Sequence, residues 1–326
     1  MKLTSLLRTA AAAGVLALGA ALAPQGALAQ AYPTQDIRLI CVFPAGSGAD
    51  VYVRFFERKL REVSGKSVIT ENKSGAAGLV GIEYAARSKP DGHTMLIHGA
   101  TGVMNIPALF KTPPIDVVKD IEVVAPLLRQ PWMIIVDAKS PYQNIQQLTD
   151  AMKKKGDKSS YSYAATAGLV MGELYKTATG VKSVDIAYKT ASDSWNDMFA
   201  GRVDWGAHDP VASLAEQRKG TMRILAVSTG KRVDSQPDIP TMTEQGVPMD
   251  MTFWWAVMMP SGVPEPIKAQ IREWFAKVVA DPETKKFLNQ FGGDPLMEPV
   301  DELKARYLKG VEQWKEWAKI AKIEPQ

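Results

Sequence analysis

The sequence has few of the residues on which disulfide, metal and nucleic-acid sites depend. It contains one cysteine and three histidines, so an internal disulfide is impossible and a structural zinc site has too few ligands. The cysteine, Cys41, lies in an apolar run, where it is expected to be a small buried residue. The formal net charge is only +4, and no lysine- and arginine-rich run is interleaved with aromatic residues, which argues against nucleic-acid binding. We therefore expect no metal, no cofactor and no nucleic-acid partner.

Long hydrophobic runs are also missing, except near the first residue. Lys2 and Arg8 precede an apolar core at residues 10–22, and Ala27-Leu28-Ala29 follows it. This order is typical of a secretory signal peptide with a small-x-small cleavage site. We predict a signal peptide at residues 1–29 and a mature protein in the periplasm. A membrane anchor is the alternative, but proline and glycine follow the apolar core and no later run reaches the length of a membrane span.

The stretch at residues 42–50, Val-Phe-Pro-Ala-Gly-Ser-Gly-Ala-Asp, carries the strongest functional signal. Residues 37–42 predict a buried strand, and a helical pattern runs from about residue 49 to 63. A strand, a glycine-containing turn and a helix N-terminus leave backbone N–H groups without internal partners, and the helix dipole favours an anion there. We predict that this loop binds a ligand carboxylate. The candidate binding residues are Phe43, Ala45, Gly46, Ser47, Gly48, Ala49 and Asp50.

Further strand–turn–helix units predict an α/β fold with mainly parallel sheets. Small-residue turns at 71–78 and 99–102 follow predicted strands at 67–70 and 94–97. Ligands bind beyond the carboxyl ends of the strands in such sheets. Thr101 is therefore a further candidate binding residue.

A second strand–loop–helix series occupies residues 127–228, and a proline- and glycine-rich segment follows it. We predict two lobes, the first formed by residues 30–126 and 229–326 and the second by residues 127–228. Facing helix N-termini in the two lobes make a clamp that closes on a small anion by hinge motion. The second lobe is expected to supply the loop Ala165-Thr166-Ala167-Gly168.

The far end of the pocket is expected to be formed by residues that follow other strands of the second lobe. One tryptophan from outside that lobe is expected to join them. They are Tyr188, Thr190, His208, Asp209 and Trp254, with Trp255 as the alternative to Trp254. For Asp209 an equally good interpretation is that it caps the next helix, which has Pro210 at its first position. His208 is then a solvated turn residue.

The loop at residues 42–50 permits two other interpretations. Gly46-Ser47-Gly48 resembles the nucleophile elbow of α/β hydrolases, although the glycines flank the serine directly. An exported α/β hydrolase that uses Ser47 is thus the alternative function. Gly46 and Gly48 also begin a dinucleotide-binding fingerprint, but Val51 stands where a third glycine belongs.

An ordered set of motifs across nearly the whole mature chain resembles the extracytoplasmic solute-binding receptors of tripartite tricarboxylate transporters, the TctC or Bug family. The motifs are Pro33 with Ile37-Arg38-Leu39-Ile40, Phe43-Pro44-Ala45-Gly46-Ser47-Gly48-Ala49-Asp50, Glu71-Asn72-Lys73-Ser74-Gly75-Ala76-Ala77-Gly78, Pro90-Asp91-Gly92-His93-Thr94, Ala187-Tyr188-Lys189, Gly201-Arg202-Val203-Asp204, Leu225-Ala226-Val227-Ser228 and Pro260-Ser261-Gly262-Val263-Pro264.

The resemblance implies a type II-like periplasmic-binding fold with a ligand cleft between two lobes, each a mainly parallel sheet flanked by helices. It implies a monomeric binding protein, not an enzyme, that takes a small carboxylate by backbone amides and ordered water and passes it to membrane permease subunits. Aliphatic and aromatic dicarboxylates are the leading ligands. Met171 stands near a position where family members have histidine, and His208-Asp209 stands where many have aspartate–asparagine, so the pocket is expected to be altered.

Overall fold

The computed structural model describes residues 32–325, in which eleven strands form two sheets. The predicted signal peptide lies outside the described residues. In chain order the strands are β1 (Ile37–Cys41), β2 (Val68–Asn72), β3 (Thr94–Gly99), β4 (Ile121–Gln130), β5 (Met133–Asp137), β6 (Ser160–Tyr163), β7 (Val184–Ala187), β8 (Trp205–His208), β9 (Met222–Val227), β10 (Phe253–Pro260) and β11 (Asp294–Pro295).

The two sheets contain separate parts of the chain. The first sheet has the order β11-β4-β10-β3-β1-β2, and the second has the order β7-β6-β8-β5-β9. β10 and β11 run antiparallel to their neighbours in the first sheet, as β5 does in the second. The other strands of each sheet share one direction, so both sheets are mixed, with parallel pairs beside antiparallel ones.

The α-helices pack on these sheets. Within residues 32–325, no helix has both the length and the apolar composition of a membrane span. The helices are α1 (Gly48–Ser64), α2 (Leu79–Ala86), α3 (Thr101–Met104), α4 (Ile106–Leu109), α5 (Ile145–Lys155), α6 (Thr166–Thr179), α7 (Ala191–Phe199), α8 (Pro210–Arg218), α9 (Glu265–Ala280), α10 (Pro282–Gln290) and α11 (Val300–Ile320).

Helix boundaries follow from local capping. α1 begins where the Ser47 hydroxyl accepts a hydrogen bond from the Asp50 N–H, 3.2 Å away. It ends at Gly65, which has a φ of 64° and donates its N–H to the Arg61 carbonyl. Both are standard helix-end devices, an N-cap serine and a glycine in the left-handed region.

Two lobes result from this arrangement. α1, α2, α9 and α10 belong to the first sheet, and α5 to α8 belong to the second. The chain passes from the first sheet to the second at residues 131–132 and returns between β9 and β10. α11 packs against β4 of the first lobe and also against α6 of the second, so it joins the two.

β10 corrects the sequence interpretation. No strand is predicted in the proline- and glycine-rich segment that follows residue 228, whereas residues 253–260 form a fully buried strand in the middle of the first sheet. A strand buried on both faces reads as a continuous apolar run without alternation. The neighbouring prolines and glycines hid this run, which separates β3 from β4 and so sets the width of the sheet.

Candidate ligand-binding cleft

A cleft of about 950 Å³ lies between the lobes. The loops that follow the carboxyl ends of β1, β2, β3, β6 and β7 line it; these are the parallel strands of the two sheets, at whose carboxyl ends a ligand site is expected. The predicted site residues that line the cleft are Phe43, Thr101, Ala165, Thr166, Ala167, Tyr188 and Trp254.

Asp50 holds the shape of the loop after β1. Its carboxylate is 2% exposed and accepts hydrogen bonds from the Gly46 N–H at 2.8 Å, Arg54 Nε at 2.8 Å and Asn72 Nδ2 at 2.7 Å. Asn72 Nδ2 also donates to the carbonyl of Phe43, 3.0 Å away. Burial opposes ionisation of Asp50, but the hydrogen bonds outweigh it and lower its pKa. Asp50 is therefore a positioning residue for the loop that carries Phe43 into the cleft.

Two N–H groups of the same loop, which the sequence predicts to bind an anion, make hydrogen bonds within the loop instead. The Gly46 N–H is bonded to Asp50, and the Ser47 N–H donates to the Pro44 carbonyl at 3.2 Å. The Gly48 N–H at the start of α1 has no carbonyl one turn earlier in its helix. A Cβ on Gly48 would lie 3.9 Å from Val211 Cγ1, so the N-termini of α1 and α8 face each other across the two lobes.

The loop after β2 lines the cleft with an unusual backbone. Gly75, Ala76, Ala77 and Gly78 all have positive φ, at 136°, 45°, 55° and 96°. Positive φ is uncommon for alanine and is concentrated at functional sites. Successive N–H groups in a turn of this kind form a concave surface that can bind an anion. The sequence indicated a small-residue turn here but did not single these residues out as binding residues.

The second lobe presents the N-terminus of α6. Ala165 precedes the helix in an extended conformation and makes no side-chain capping hydrogen bond. The N–H groups of Thr166 and Ala167 have no helical partner one turn earlier, and both residues line the cleft. Gly168 has a packing role instead, because a Cβ there would lie 2.4 Å from the Ala207 carbonyl oxygen.

Aromatic side chains form much of the cleft wall. Trp255 lies 6.4 Å from Phe43 and 5.4 Å from Tyr52, measured between ring centroids. Trp254 also lines the cleft, and it lines two smaller cavities on the other side of β10. Because successive side chains of a strand point to opposite faces, the two rings lie on opposite faces of β10. Both residues nevertheless line the cleft.

His98 was not singled out by the sequence, but it lines the cleft from the end of β3. The side chain is 5% exposed, and neither ring nitrogen has a hydrogen-bond partner among residues 32–325. Its ring centroid is 5.3 Å from that of Phe43 and 6.0 Å from that of Trp255. Burial lowers the pKa of His98 to about 4, so the imidazole is neutral at pH 7.

The structure places His208 and Asp209 outside the cleft lining, contrary to their predicted position at the far end of the pocket. His208 is the last residue of β8 and is 1% exposed, with Nε2 3.0 Å from Ser162 Oγ. Burial lowers its pKa to about 3. Asp209 Oδ1 accepts the Ala212 N–H at 3.0 Å and caps α8, which agrees with the capping alternative. Burial raises the pKa of Asp209.

Other predicted residues also lie outside this lining. Thr190 caps α7 through a capping box with Asp193. Tyr188 does line the cleft, and its hydroxyl donates to Asp197 at 2.6 Å. The predicted residues not among those that line the cleft are Ala45, Gly46, Ser47, Gly48, Ala49, Asp50, Gly168, Thr190, His208 and Asp209.

Charged side chains are scarce around the cleft. Of the described residues that line it, none is lysine or arginine, and Glu324 is the one acidic residue. Within residues 32–325 no group of three or more His, Cys, Asp or Glu side chains is arranged to hold a metal ion. The donors available to an anionic ligand in this lining are therefore backbone N–H groups, helix N-termini and neutral side chains such as those of Thr101, Asn105 and Thr166.

The hydrolase alternative receives no support from the geometry at Ser47. Its hydroxyl accepts the Asp50 N–H as a helix cap. Among the described side chains, no histidine is hydrogen-bonded to it, so no base is in place to activate it as a nucleophile.

The fold and the cleft together define a two-lobed solute-binding protein. The family model described as "Tripartite tricarboxylate transporter family receptor", TctC, matches residues 52–322. The chain belongs to this family, and its relatives are periplasmic solute-binding proteins.

Individual relatives and solved structures agree with the match to this family. The chain is 32% identical over 275 residues to a UPF0065 protein of Bordetella bronchiseptica, a match that covers 84% of this chain and 82% of the relative. The structure of the periplasmic binding protein BugD is 29% identical with a TM-score of 0.75, covering 90% of this chain and 100% of that one. The R. palustris protein Rpa4515 with adipate is 26% identical with a TM-score of 0.79, at the same coverage of 90% and 100%.

Proposed function

We propose that this protein is the extracytoplasmic receptor that captures a small carboxylate and delivers it to the membrane permease subunits of a tripartite transporter. The observation that carries the proposal is a cleft between two lobes that is lined by the positive-φ turn at 75–78 and by the N-terminus of α6. We propose that free backbone N–H groups at these two places bind the carboxylate; the Gly78 N–H is not one of them, because it donates to the Gly75 carbonyl. The solved structure of a relative with adipate supports a carboxylate as the ligand.

Hydrogen bonds from backbone N–H groups can bind a carboxylate with micromolar affinity even without a cationic side chain. A hydrogen bond to a charged group contributes about 1.5–3 kcal/mol. Micromolar affinity corresponds to about 8 kcal/mol. A few N–H donors and the burial of the apolar part of the ligand against the aromatic wall together reach this range.

The proposal also covers the export of the protein, the boundaries of its two lobes and its oligomeric state. We propose export with cleavage after Ala29, which mass spectrometry of the periplasmic protein would test. We propose two lobes with the second beginning at residues 131–132, where the chain changes sheets, and not at residue 127, because residues 127–130 belong to β4 of the first sheet; the proposed return to the first lobe stays at residues 228–229. We propose a monomer, which light scattering would test.

A ligand screen tests the function directly. Melting temperature and calorimetry of the mature protein are measured with aliphatic and aromatic mono-, di- and tricarboxylates, adipate included. The methyl esters serve as uncharged controls, and inorganic sulfate and phosphate test for general anion binding. A carboxylate receptor is stabilised by at least one acid and not by its ester. Stabilisation by none of the acids, or equally by acids and esters, contradicts the proposal.

A charge placed at the N-terminus of α6 tests the recognition mode. Ala165 is exposed, lines the cleft and has extended backbone angles that any residue adopts. Ala165→Glu should weaken carboxylate binding tenfold or more, because two unit charges 4 Å apart repel by about 4 kcal/mol at an effective dielectric constant near 20, and tenfold is about 1.4 kcal/mol.

Ala165→Gln is the matched control, since it has nearly the same size without the charge. It should bind within about threefold of the wild type. Glutamate at a helix N-terminus is favourable for the helix, so the melting temperature of Ala165→Glu should not fall. Equal affinity of the Glu and Gln variants would mean that the ligand carboxylate lies elsewhere.

A further inference from the structure

The chain passes between the two lobes along two routes that lie side by side. In the first sheet Gln130, at the end of β4, pairs with Phe253 at the start of β10. In the second sheet Met133, at the start of β5, pairs with Val227 at the end of β9. The link at residues 131–132 therefore runs between two pairs of neighbouring strands. Rotation of one lobe against the other must change backbone angles in these adjacent chains.

Ser228 joins the two routes through four hydrogen bonds. It is the first residue after β9 and is fully buried. Its N–H donates to the Trp132 carbonyl at 2.9 Å, and its carbonyl accepts the Met251 N–H at 2.8 Å. Its hydroxyl accepts the Trp132 N–H at 2.9 Å and donates to the Met251 carbonyl at 2.7 Å. One side chain thus connects the link at 131–132 with the segment that enters β10.

The hydroxyl supplies two of these bonds, which no other group of Ser228 could make. The backbone bonds would remain with any residue at position 228. Without the hydroxyl, the Trp132 N–H and the Met251 carbonyl would be buried without this partner, which is costly. Pro131 has a fixed φ and no N–H, so Trp132 is the residue of the link whose φ and ψ can both change. The Ser228 hydroxyl therefore restrains the most adaptable residue of the link.

The indole of Trp132 connects the link with both lobes. Its ring centroid lies 5.6 Å from that of Phe253, in the first lobe. A Cβ on Gly168 would lie 3.4 Å from Trp132 Cζ3, so the ring also packs against the first turn of α6 in the second lobe. Trp132 and Phe253 both line the cleft. The backbone position of Trp132 therefore decides where this part of the cleft wall lies relative to the N-terminus of α6.

We propose that Ser228 is a positioning residue for ligand binding, because its hydroxyl fixes Trp132 at the pivot between the lobes. The indole is thereby held between Phe253 and the first turn of α6, where the N–H groups of Thr166 and Ala167 meet the ligand carboxylate. The inference rests on the proposed function, since it concerns the same cleft. Ser228 itself is buried and is not among the residues that line the cleft, so it acts through Trp132.

Calorimetry of Ser228→Ala and wild type tests the inference, with the mono-, di- and tricarboxylates of the ligand screen, adipate included, as probes. The acid that binds the wild type most tightly should bind Ser228→Ala about fivefold more weakly or worse, which corresponds to about 1 kcal/mol. Ser228→Thr keeps the hydroxyl and should recover most of the affinity. Ser228→Cys has a weaker donor and acceptor and should lie between the two. It takes the place of Ser228→Ala if that variant does not fold.

The affinity of the folded protein separates positioning from stability. Ser228→Ala should also lower the melting temperature, because buried groups lose a partner. Thr149→Val is the matched control, since Thr149 is buried in α5 of the second lobe. Its Oγ1 lies 2.6 Å from Tyr175 Oη and donates to the Ile145 carbonyl at 2.8 Å. This variant should lower the melting temperature and leave the affinity unchanged.

A double-mutant cycle with Trp132→Leu tests whether Ser228 acts through Trp132. Without the indole there is no ring to position, so in the Trp132→Leu background Ser228→Ala should weaken binding by less than about twofold. Equal affinity of Ser228→Ala and wild type overturns the inference and leaves the proposed function standing. A loss of the same size in both backgrounds does so too. A wild type that binds none of the carboxylates contradicts the proposed function, and with it this inference.

Discussion

At the scale of single residues, the loop after β1 shows how a buried acidic side chain can hold a loop in place beside the cleft. Asp50 is buried, yet it stays ionised because Arg54, Asn72 and the Gly46 N–H donate to it. The Asn72 amide extends the network to the Phe43 carbonyl. The carboxylate is fully engaged with the protein, so it fixes the position of Phe43 without facing the ligand.

Replacing this carboxylate should destabilise the protein in a pH-dependent way. Asp50→Asn is expected to lower the free energy of unfolding by about 1.5–3 kcal/mol at pH 7, since hydrogen bonds to a charged group are lost. Hydrogen bonds hold the native pKa of Asp50 below the ordinary pKa of an aspartate, so the advantage of the wild type is fully present above the ordinary pKa and is lost as pH falls through the native pKa.

Urea denaturation of Asp50→Asn and wild type between pH 3 and 7 measures this difference. Asp157→Asn is the control, because Asp157 is exposed and its substitution should change stability by less than about 0.5 kcal/mol. A constant gap between wild type and Asp50→Asn down to pH 3 would mean that the network does not depend on the charge.

At the scale of secondary-structure elements, glycine at the start of α6 sets how closely the helix approaches the second sheet. Gly168 lies near the Ala207 carbonyl of β8, and a Cβ would also lie 2.9 Å from Tyr163 Cβ. These atoms belong to the strands and cannot swing aside. The N-terminus of α6 therefore reaches the cleft because its first turn packs closely against the sheet.

Gly168→Ala should push α6 away from the second sheet. We expect a loss of about 1–3 kcal/mol in the free energy of unfolding, as for other overpacked sites, together with weaker ligand binding because the N–H groups of Thr166 and Ala167 move. Thr177→Ala, at an exposed position of the same helix, is the control. Urea denaturation and calorimetry measure both effects. Weaker binding at full stability would instead favour the sequence-based expectation that Gly168 contacts the ligand.

The elements also show what the sequence could predict. The starts of α5, α7 and α10 are marked in the sequence by their capping residues Asn144, Thr190 and Asp281, the last of which precedes a proline. β10 was missed because a strand buried on both faces has no alternation. The cleft loops could be expected from their place after the strands, but the burial of His98 could not, since it depends on Gly102 and Trp255, which only the fold brings to the ring.

Asp209 shows a different limit of the sequence. An Asp-Pro pair after a strand predicts a helix cap and a cleft residue equally well, because the carboxyl end of a strand and the start of the next helix are the same place. The hydrogen bond to Ala212 shows that Asp209 caps α8, and only the fold reveals that the side chain lies outside the cleft lining.

At the scale of the whole molecule, the connections between the lobes favour a hinge. The chain changes sheets at residues 131–132 and between β9 and β10, and α11 packs on both lobes. Ile323 and Glu324, just after α11, line the cleft. Gly48 of α1 and Val211 of α8 also face each other, and α8 contacts the first lobe again where Arg218 donates a hydrogen bond to the Gln290 carbonyl of α10 at 2.6 Å.

A large side chain at Gly48 should keep the lobes apart. With Gly48→Trp, the indole must occupy the space in which a Cβ lies 3.9 Å from Val211 Cγ1. Closure by hinge motion would then be blocked, and ligand affinity should fall tenfold or more. In X-ray scattering, the radius of gyration of the wild type should decrease on adding saturating ligand, whereas that of Gly48→Trp should not.

Gly48→Ala separates this steric effect from any need for glycine itself. Its Cβ makes an ordinary van der Waals contact with Val211 and its φ is not in the left-handed region, so affinity and closure should match the wild type. Both variants keep the Gly48 N–H, so a loss restricted to Gly48→Trp reports closure of the lobes. If Gly48→Trp closes and binds as the wild type does, the α1 and α8 N-termini do not limit closure, and the proposed hinge motion must bring other surfaces of the lobes together.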